Sequence, residues 1–132
     1  MKKTIKLLVV SIFLFLIISC KTIVWDDSVP LEETVLITIY SGVDIYSYNE
    51  VNVKWKGLTS VRIPAGHSEF ILSALHEGGL FLVRENDIFL KYYFEAGNQY
   101  SITVGQEHLI GGNYGIVIEN INNYQREFFP FP

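Results

Sequence analysis

The sequence predicts an all-β fold, an antiparallel β-sandwich, for the body of this 132-residue chain. Three observations lead there. From Thr34 onward the apolar residues recur with a period of two rather than 3.6, which marks strands with one buried face. β-branched and aromatic residues, which suit a half-buried pleated surface, fill those runs. Clusters of glycine, asparagine and proline break the runs at short intervals, giving about eight short strands, as sandwiches have.

The elements in chain order begin before that body. Lys2, Lys3 and Lys6 form a basic head without acids, and Leu7 to Ile18 is apolar except for Ser11. Such a head, followed by a short apolar run and a small residue, describes a secretory signal peptide over residues 1–19, helical in character. The run is shorter than the roughly 20 residues that cross a bilayer. A core helix would show a polar face, and this run is apolar all round.

The segment ends in Ile17-Ile18-Ser19-Cys20, which contains the only cysteine of the chain. These four residues resemble a bacterial lipobox, with isoleucine where leucine and a small residue are commoner at the first two positions. The resemblance implies a lipid on the Cys20 thiol and cleavage that leaves Cys20 as the mature N-terminus. It implies a membrane-anchored lipoprotein of the bacterial cell envelope, facing the periplasm or exposed at the surface. Two or more acyl chains anchor stably, at about 0.8 kcal/mol per buried methylene. A lone cysteine forms no disulfide within the chain.

The mature chain of 113 residues, Cys20 to Pro132, suits one domain with a core that stands without disulfide or metal. Three of the ten basic residues and none of the fourteen acids lie in the signal, so the mature formal charge is −7. That balance argues against nucleic-acid binding, which needs a basic patch to neutralise phosphates. It equally disfavours binding of the protein surface to an anionic bilayer. Residues 20–33, with Asp26, Asp27, Glu32, Glu33 and Pro30 and no clear period, read as an extended, mobile tether. Trp25 within it is left open, either at the membrane interface or over an edge of the domain.

The sandwich is expected over residues 34–122. Val35, Ile37 and Ile39 share a face in TVLITIY, and Val51, Val53 and Trp55 share one in EVNVKWKG. Val61 and Ile63, then Phe70, Leu72 and Ala74, continue the pattern. Ile88, Leu90, Tyr92 and Phe94, then Tyr100, Ile102 and Val104, and last Ile116 and Ile118, complete it. Turns are expected at Ser41-Gly42, Tyr48-Asn49-Glu50, Pro64-Ala65-Gly66, Gly78-Gly79, Glu85-Asn86-Asp87, Ala96-Gly97-Asn98 and Gly111-Gly112-Asn113. The expected core includes Ile37, Ile63, Phe70, Leu90, Phe94 and Ile102. The arrangement is of the immunoglobulin-like or prealbumin-like kind, followed by an aromatic C-terminal tail at residues 123–132.

Two stretches carry a second resemblance. Ser60-Val61-Arg62-Ile63-Pro64-Ala65-Gly66-His67 reads strand, proline–glycine turn, strand. Phe94-Glu95-Ala96-Gly97-Asn98-Gln99-Tyr100-Ser101-Ile102 reads strand, glycine turn, tyrosine-led strand. With Val51-Asn52-Val53-Lys54-Trp55 as a preceding hairpin strand, residues 34–104 resemble the PEGA-like and carboxypeptidase-regulatory-like modules of bacterial cell-surface proteins. The resemblance implies an interaction or scaffold unit without shared catalytic residues.

Chemistry is sparse. His67, His76 and His108 lie nine and thirty-two residues apart, unlike the close pairs of zinc sites, so no metal and no cofactor is expected. Ser68 beside His67 points to the opposite face of a strand, and no G-x-S-x-G elbow occurs. Gly78-Gly79 and Gly111-Gly112 lack the lysine and helix of a phosphate loop. Aromatic residues are the anomaly. Tyr40, Tyr46, Tyr48, Phe89, Tyr93 and Tyr124 fall on outer faces or loops, and the chain closes with Glu127-Phe128-Phe129-Pro130-Phe131-Pro132. Either the sheet uses both faces and the tail folds back as a lid, or these rings form a binding surface. Phe89, Tyr93, Phe128 and Phe129 are the candidate binding residues, since aromatics concentrate at interface cores. The expectation is a non-enzymatic binding or envelope-scaffold lipoprotein, its partner an envelope protein or polysaccharide. The alternative is a small envelope hydrolase or carbohydrate-active protein, which convergent histidine and carboxylate side chains in a concave pocket would favour.

Overall fold

A computed structural model describes residues 22–108 and 111–132. The signal peptide and Cys20 lie outside the described residues. The strands are β1 (Thr22–Val24), β2 (Thr34–Ile39), β3 (Val43–Tyr48), β4 (Val51–Trp55) and β5 (Thr59–Pro64). They continue with β6 (Gly66–Gly78), β7 (Phe81–Phe94), β8 (Gln99–His108), β9 (Gly111–Asn120) and β10 (Arg126–Pro130). A 3₁₀ turn at Leu31–Glu33 precedes β2. No helix among the described residues is long and apolar enough to cross a membrane.

The all-β sandwich is present. One sheet has the order β1-β5-β2-β8-β9-β10, the other β4-β3-β6-β7. Two pairings are parallel, β1 with β5 and β2 with β8, so the larger sheet is mixed where a purely antiparallel one was expected. The period-two runs pack as anticipated. Ile37, Ile63, Phe70, Leu90, Phe94 and Ile102 are all buried, together with Val35, Leu72, Ile116 and Ile118. Alternation turns these residues to one face, and the facing sheet removes them from water. Val51 departs from its run, being exposed at the start of an edge strand.

Aromatic rings cross this core in one chain. Trp25 meets Tyr48 at a centroid distance of 4.9 Å, Tyr48 meets Phe70 at 5.6 Å, and Phe70 meets Phe94 at 6.0 Å. Phe94 then meets Tyr100 at 4.8 Å and Tyr92 at 4.7 Å, and Tyr92 meets Phe129 at 6.2 Å. The Tyr100 hydroxyl accepts the Glu95 N–H at 2.9 Å and ties the β7–β8 crossing. The Phe94…Tyr100 spacing therefore has a structural job.

The structure corrects several expectations. Residues 20–33 do not form a free tether from Thr22 on. Thr22–Val24 pairs with β5, the Trp25 N–H donates to the Arg62 carbonyl at 3.0 Å, and the Trp25 ring packs on Tyr48 and Trp55. The indole, still partly open to water, covers the side of the sandwich between β1 and β4. Tyr48 is buried, not outward, and belongs to a strand the period-two reading passed over. A bulge between Ile45 and Ser47 shifts the β3 register by one residue, and this turns Tyr48 to the face of Val43 and Ile45. Glu85-Asn86-Asp87 is no turn. β7 runs through it with a second bulge, and Asp87 takes a φ of 53° there, its backbone N–H donating to the Tyr46 hydroxyl at 2.9 Å. The tail at 123–132 is no separate segment, because β10 pairs with β9 at the sheet edge and Phe129 and Phe131 pack on the core.

Register fixes the two ends of the sandwich. β2, β6, β8 and β10 all finish at one end, where Gly78 and Phe81 close the β6–β7 hairpin. β1 starts at that same end, since Thr22 pairs with Ser60 and Thr59 pairs with Ile39 at the close of β2.

Candidate functional site

The described residues offer one groove that combines aromatic and polar side chains along two strand edges. β7 ends the smaller sheet and β10 ends the larger one, so on this side of the sandwich two edges face each other. Lys91, Tyr92, Tyr93 and Glu95 from β7 and its exit line the groove. Tyr100 from β8, Asn120 from β9, and Gln125, Glu127 and Phe129 from β10 and its approach line the rest. The cavity measures about 300 Å³ and is open to solvent.

Alternation explains which rings reach it. Tyr92 points inward and lies at the foot of the groove between Phe94 and Phe129, while Tyr93 stands on the outer face and is 56% exposed. The His67 ring meets Tyr93 edge-on at 4.9 Å across the β6–β7 pairing and holds it upright. Partial burial first, and the nearby Glu127, Tyr100 and Glu95 next, push the Tyr92 phenol above its ordinary pKa. The groove thus sets the rings of Tyr92, Tyr93, Tyr100 and Phe129 among the carboxylates of Glu95 and Glu127, with Lys91 beside them. Carboxylate and amide oxygens accept hydrogen bonds, and the Asn120 and Gln125 amides also donate.

The four candidate residues are not brought to one place. Tyr93 and Phe129 line the groove. Phe89, 75% exposed, stands two positions from Lys91 on the outer face of the smaller sheet. There it lines a recess of about 170 Å³ with Ser47, Glu50, Glu69, Ile71 and Lys91. Lys91 lines both cavities and sits 3.3 Å from Glu69, an exposed pair that contributes little to stability. Phe128 faces the other way, on the outer side of the larger sheet over Gly115. Tyr92, which sequence placed only on the inward face of its strand, and Glu95, Asn120, Gln125 and Glu127 were not among the candidate binding residues. The one available signal was Glu127 inside an otherwise aromatic tail.

A second cleft lies at the hairpin end. His76 Nε2 is 3.3 Å from Glu85 Oε1, and the His76 ring stacks with Tyr114 at 5.3 Å and Phe131 at 5.0 Å. Gly112 and Asn113 complete its lining, which includes no serine, threonine or cysteine among the described residues. His67 lies exposed on β6 and Ser68 beside it is buried with no hydrogen-bond partner among the described residues, so the two do not converge. No group of three or more histidine, cysteine, aspartate and glutamate side chains gathers among the described residues. No protein family, no curated protein and no solved structure matches this chain.

Proposed function

We propose that the chain is a membrane-anchored bacterial lipoprotein, held by lipid on Cys20, that works as a non-enzymatic binding module of the cell envelope. The observation that carries this reading is the groove between the β7 and β10 edges, where Tyr92, Tyr93 and Phe129 stand among Glu95, Glu127, Asn120 and Gln125. Flat apolar rings suit the C–H faces of a sugar, and carboxylate and amide groups suit its hydroxyls. An envelope polysaccharide is therefore the partner class this chemistry fits best. The resemblance of residues 34–104 to PEGA-like surface modules belongs to the same proposal. The test is co-sedimentation of the full-length, detergent-solubilised protein with purified peptidoglycan. Saturable binding is expected, weakened at least about tenfold, or 1.4 kcal/mol, by Tyr93→Ala. Equal binding by wild type and variant contradicts the site.

A second reading, a small envelope hydrolase, draws on the His76–Glu85 pair and its aromatic walls. A carboxylate beside an imidazole can orient it as a general base. Release of soluble saccharide or peptide fragments in the same incubation, abolished by His76→Ala, favours this reading over the first.

A further inference from the structure

The β6–β7 hairpin reaches the end of the sandwich with an apolar tip. Leu80 is 96% exposed and Phe81 78% exposed, with Leu82 exposed beside them. Gly79, at φ +77°, takes the first position of a two-residue turn and lets Gly78 and Phe81 pair across it. From Gly78 to Val83 there is no charged side chain. Nothing in the fold needs these side chains outward. The core is complete without them, and water-facing leucine and phenylalanine at an apex cost solubility.

We propose that this tip is a second membrane contact, placing Leu80, Phe81 and Leu82 among the acyl chains of the bilayer that holds the protein. The proposal rests on the anchoring reading above. Its independent support is where the chain enters. β1 starts at the same end of the sandwich as the hairpin tip, because Thr22 lies level with Ser60, Thr38 and Ser101. Cys20 is two residues before Thr22, so covalent geometry keeps its Cα within about 8 Å of that strand start. A lipid on Cys20 thus brings the hairpin end, not the opposite end, to the bilayer. The lateral spacing matters as well. β1 stands three strands from β8 in its sheet, roughly 14 Å away, and β6 packs over β8. Lipid at one side and hairpin tip at the other make two separated contacts, which fix the tilt of the domain rather than leaving it to swing. Beyond Ala74 the two strands pair only with each other and keep open outer edges, so the tip enters by its apex side chains while the paired backbone behind it stays at headgroup level. The contact uses no charge, so the acidic balance of the chain does not oppose it.

The test uses the full-length, processed protein reconstituted into phosphatidylcholine vesicles. An environment-sensitive fluorophore is placed on Leu80→Cys, and separately on Leu31→Cys at the opposite end. Both positions are exposed, so neither label disturbs the core. Flotation of the vesicles reports anchoring; emission reports the tip. The Leu80 label should emit blue-shifted light that spin-labelled acyl chains quench, and the Leu31 label should stay water-like. A water-like Leu80 label on protein that floats overturns the tip contact and leaves the anchor standing. Both labels blue-shifted overturns the orientation and with it the proposal. Protein that fails to float overturns the anchor and the proposal together.

Discussion

Phe94 shows how one side chain sets the stability of this domain. It is fully buried, meets Phe70, Tyr92 and Tyr100, and sits where β7 leaves for the other sheet. Phe94→Ala removes the ring at the centre of the aromatic chain and should cost about 3–5 kcal/mol, read from denaturant unfolding. A domain with total stability of about 5–15 kcal/mol approaches its limit there. Tyr48 adds a pH dependence with a definite sign. Burial raises its phenol pKa above the ordinary value; the Ser68 hydroxyl lies near enough to temper that shift, though not in hydrogen-bond geometry. Above about pH 10 the unfolded phenol loses its proton while the folded one keeps it, so the unfolded state binds fewer protons and stability falls as pH rises. Melting temperature followed from neutral to alkaline pH should drop beyond that point, and Tyr48→Phe should move the drop to higher pH. Phe94 was legible in sequence because nothing interrupts its alternation with Tyr92, Leu90 and Ile88. Tyr48 was not, because one extra residue in β3 reverses the face of everything after it.

β10 decides whether the aromatic tail is structure or interface, and it is structure first. Phe129 packs on Tyr92, and Gly115 on β9 admits the strand closely, for a Cβ there would collide with the Phe129 carbonyl oxygen and meet the Phe128 ring at 2.8 Å. Gly115→Ala should push β10 outward and destabilise by about 1–3 kcal/mol, the usual cost of overpacking, seen as a lower melting temperature. Deleting residues 127–132 should destabilise further, and it should also remove Glu127 and Phe129 from the groove. Only the milder Tyr93→Ala, on an exposed side chain, separates binding from folding. The strands of the body were readable because half-buried strands must alternate. β1 and β10 were hidden for different reasons. Three residues are too few to show a period, and Phe128-Phe129-Pro130-Phe131 is apolar without alternation. Proline at the end of β10 is tolerated because the strand lies at the sheet edge. Two rings of the groove, Tyr93 and Phe129, were readable as candidates, but their meeting was not, since it joins residues 91–95 to residue 100 and residues 120–129 across two sheets.

At the scale of the molecule, the two ends and one open side divide the labour. The β1 start, the hairpin tip and the His76 cleft share one end, while the groove runs along the side between β7 and β10. An anchored domain resting on its hairpin end would present that groove sideways to whatever lines the membrane. The −7 formal charge of the chain after residue 19 favours solubility above the bilayer, and in the proposed reading the lipid on Cys20 and the hairpin tip are its two contacts with the membrane. Anchoring is thus the claim on which orientation and binding both depend. The most direct measurement is the intact mass of the full-length chain after expression in a bacterium and extraction from its membranes. A lipid-anchored chain should begin at Cys20 and carry the added mass of two or three acyl chains, and Cys20→Ala should abolish both changes. A membrane-extracted protein of unmodified mass, or one cut elsewhere with a free Cys20 thiol, would contradict anchoring.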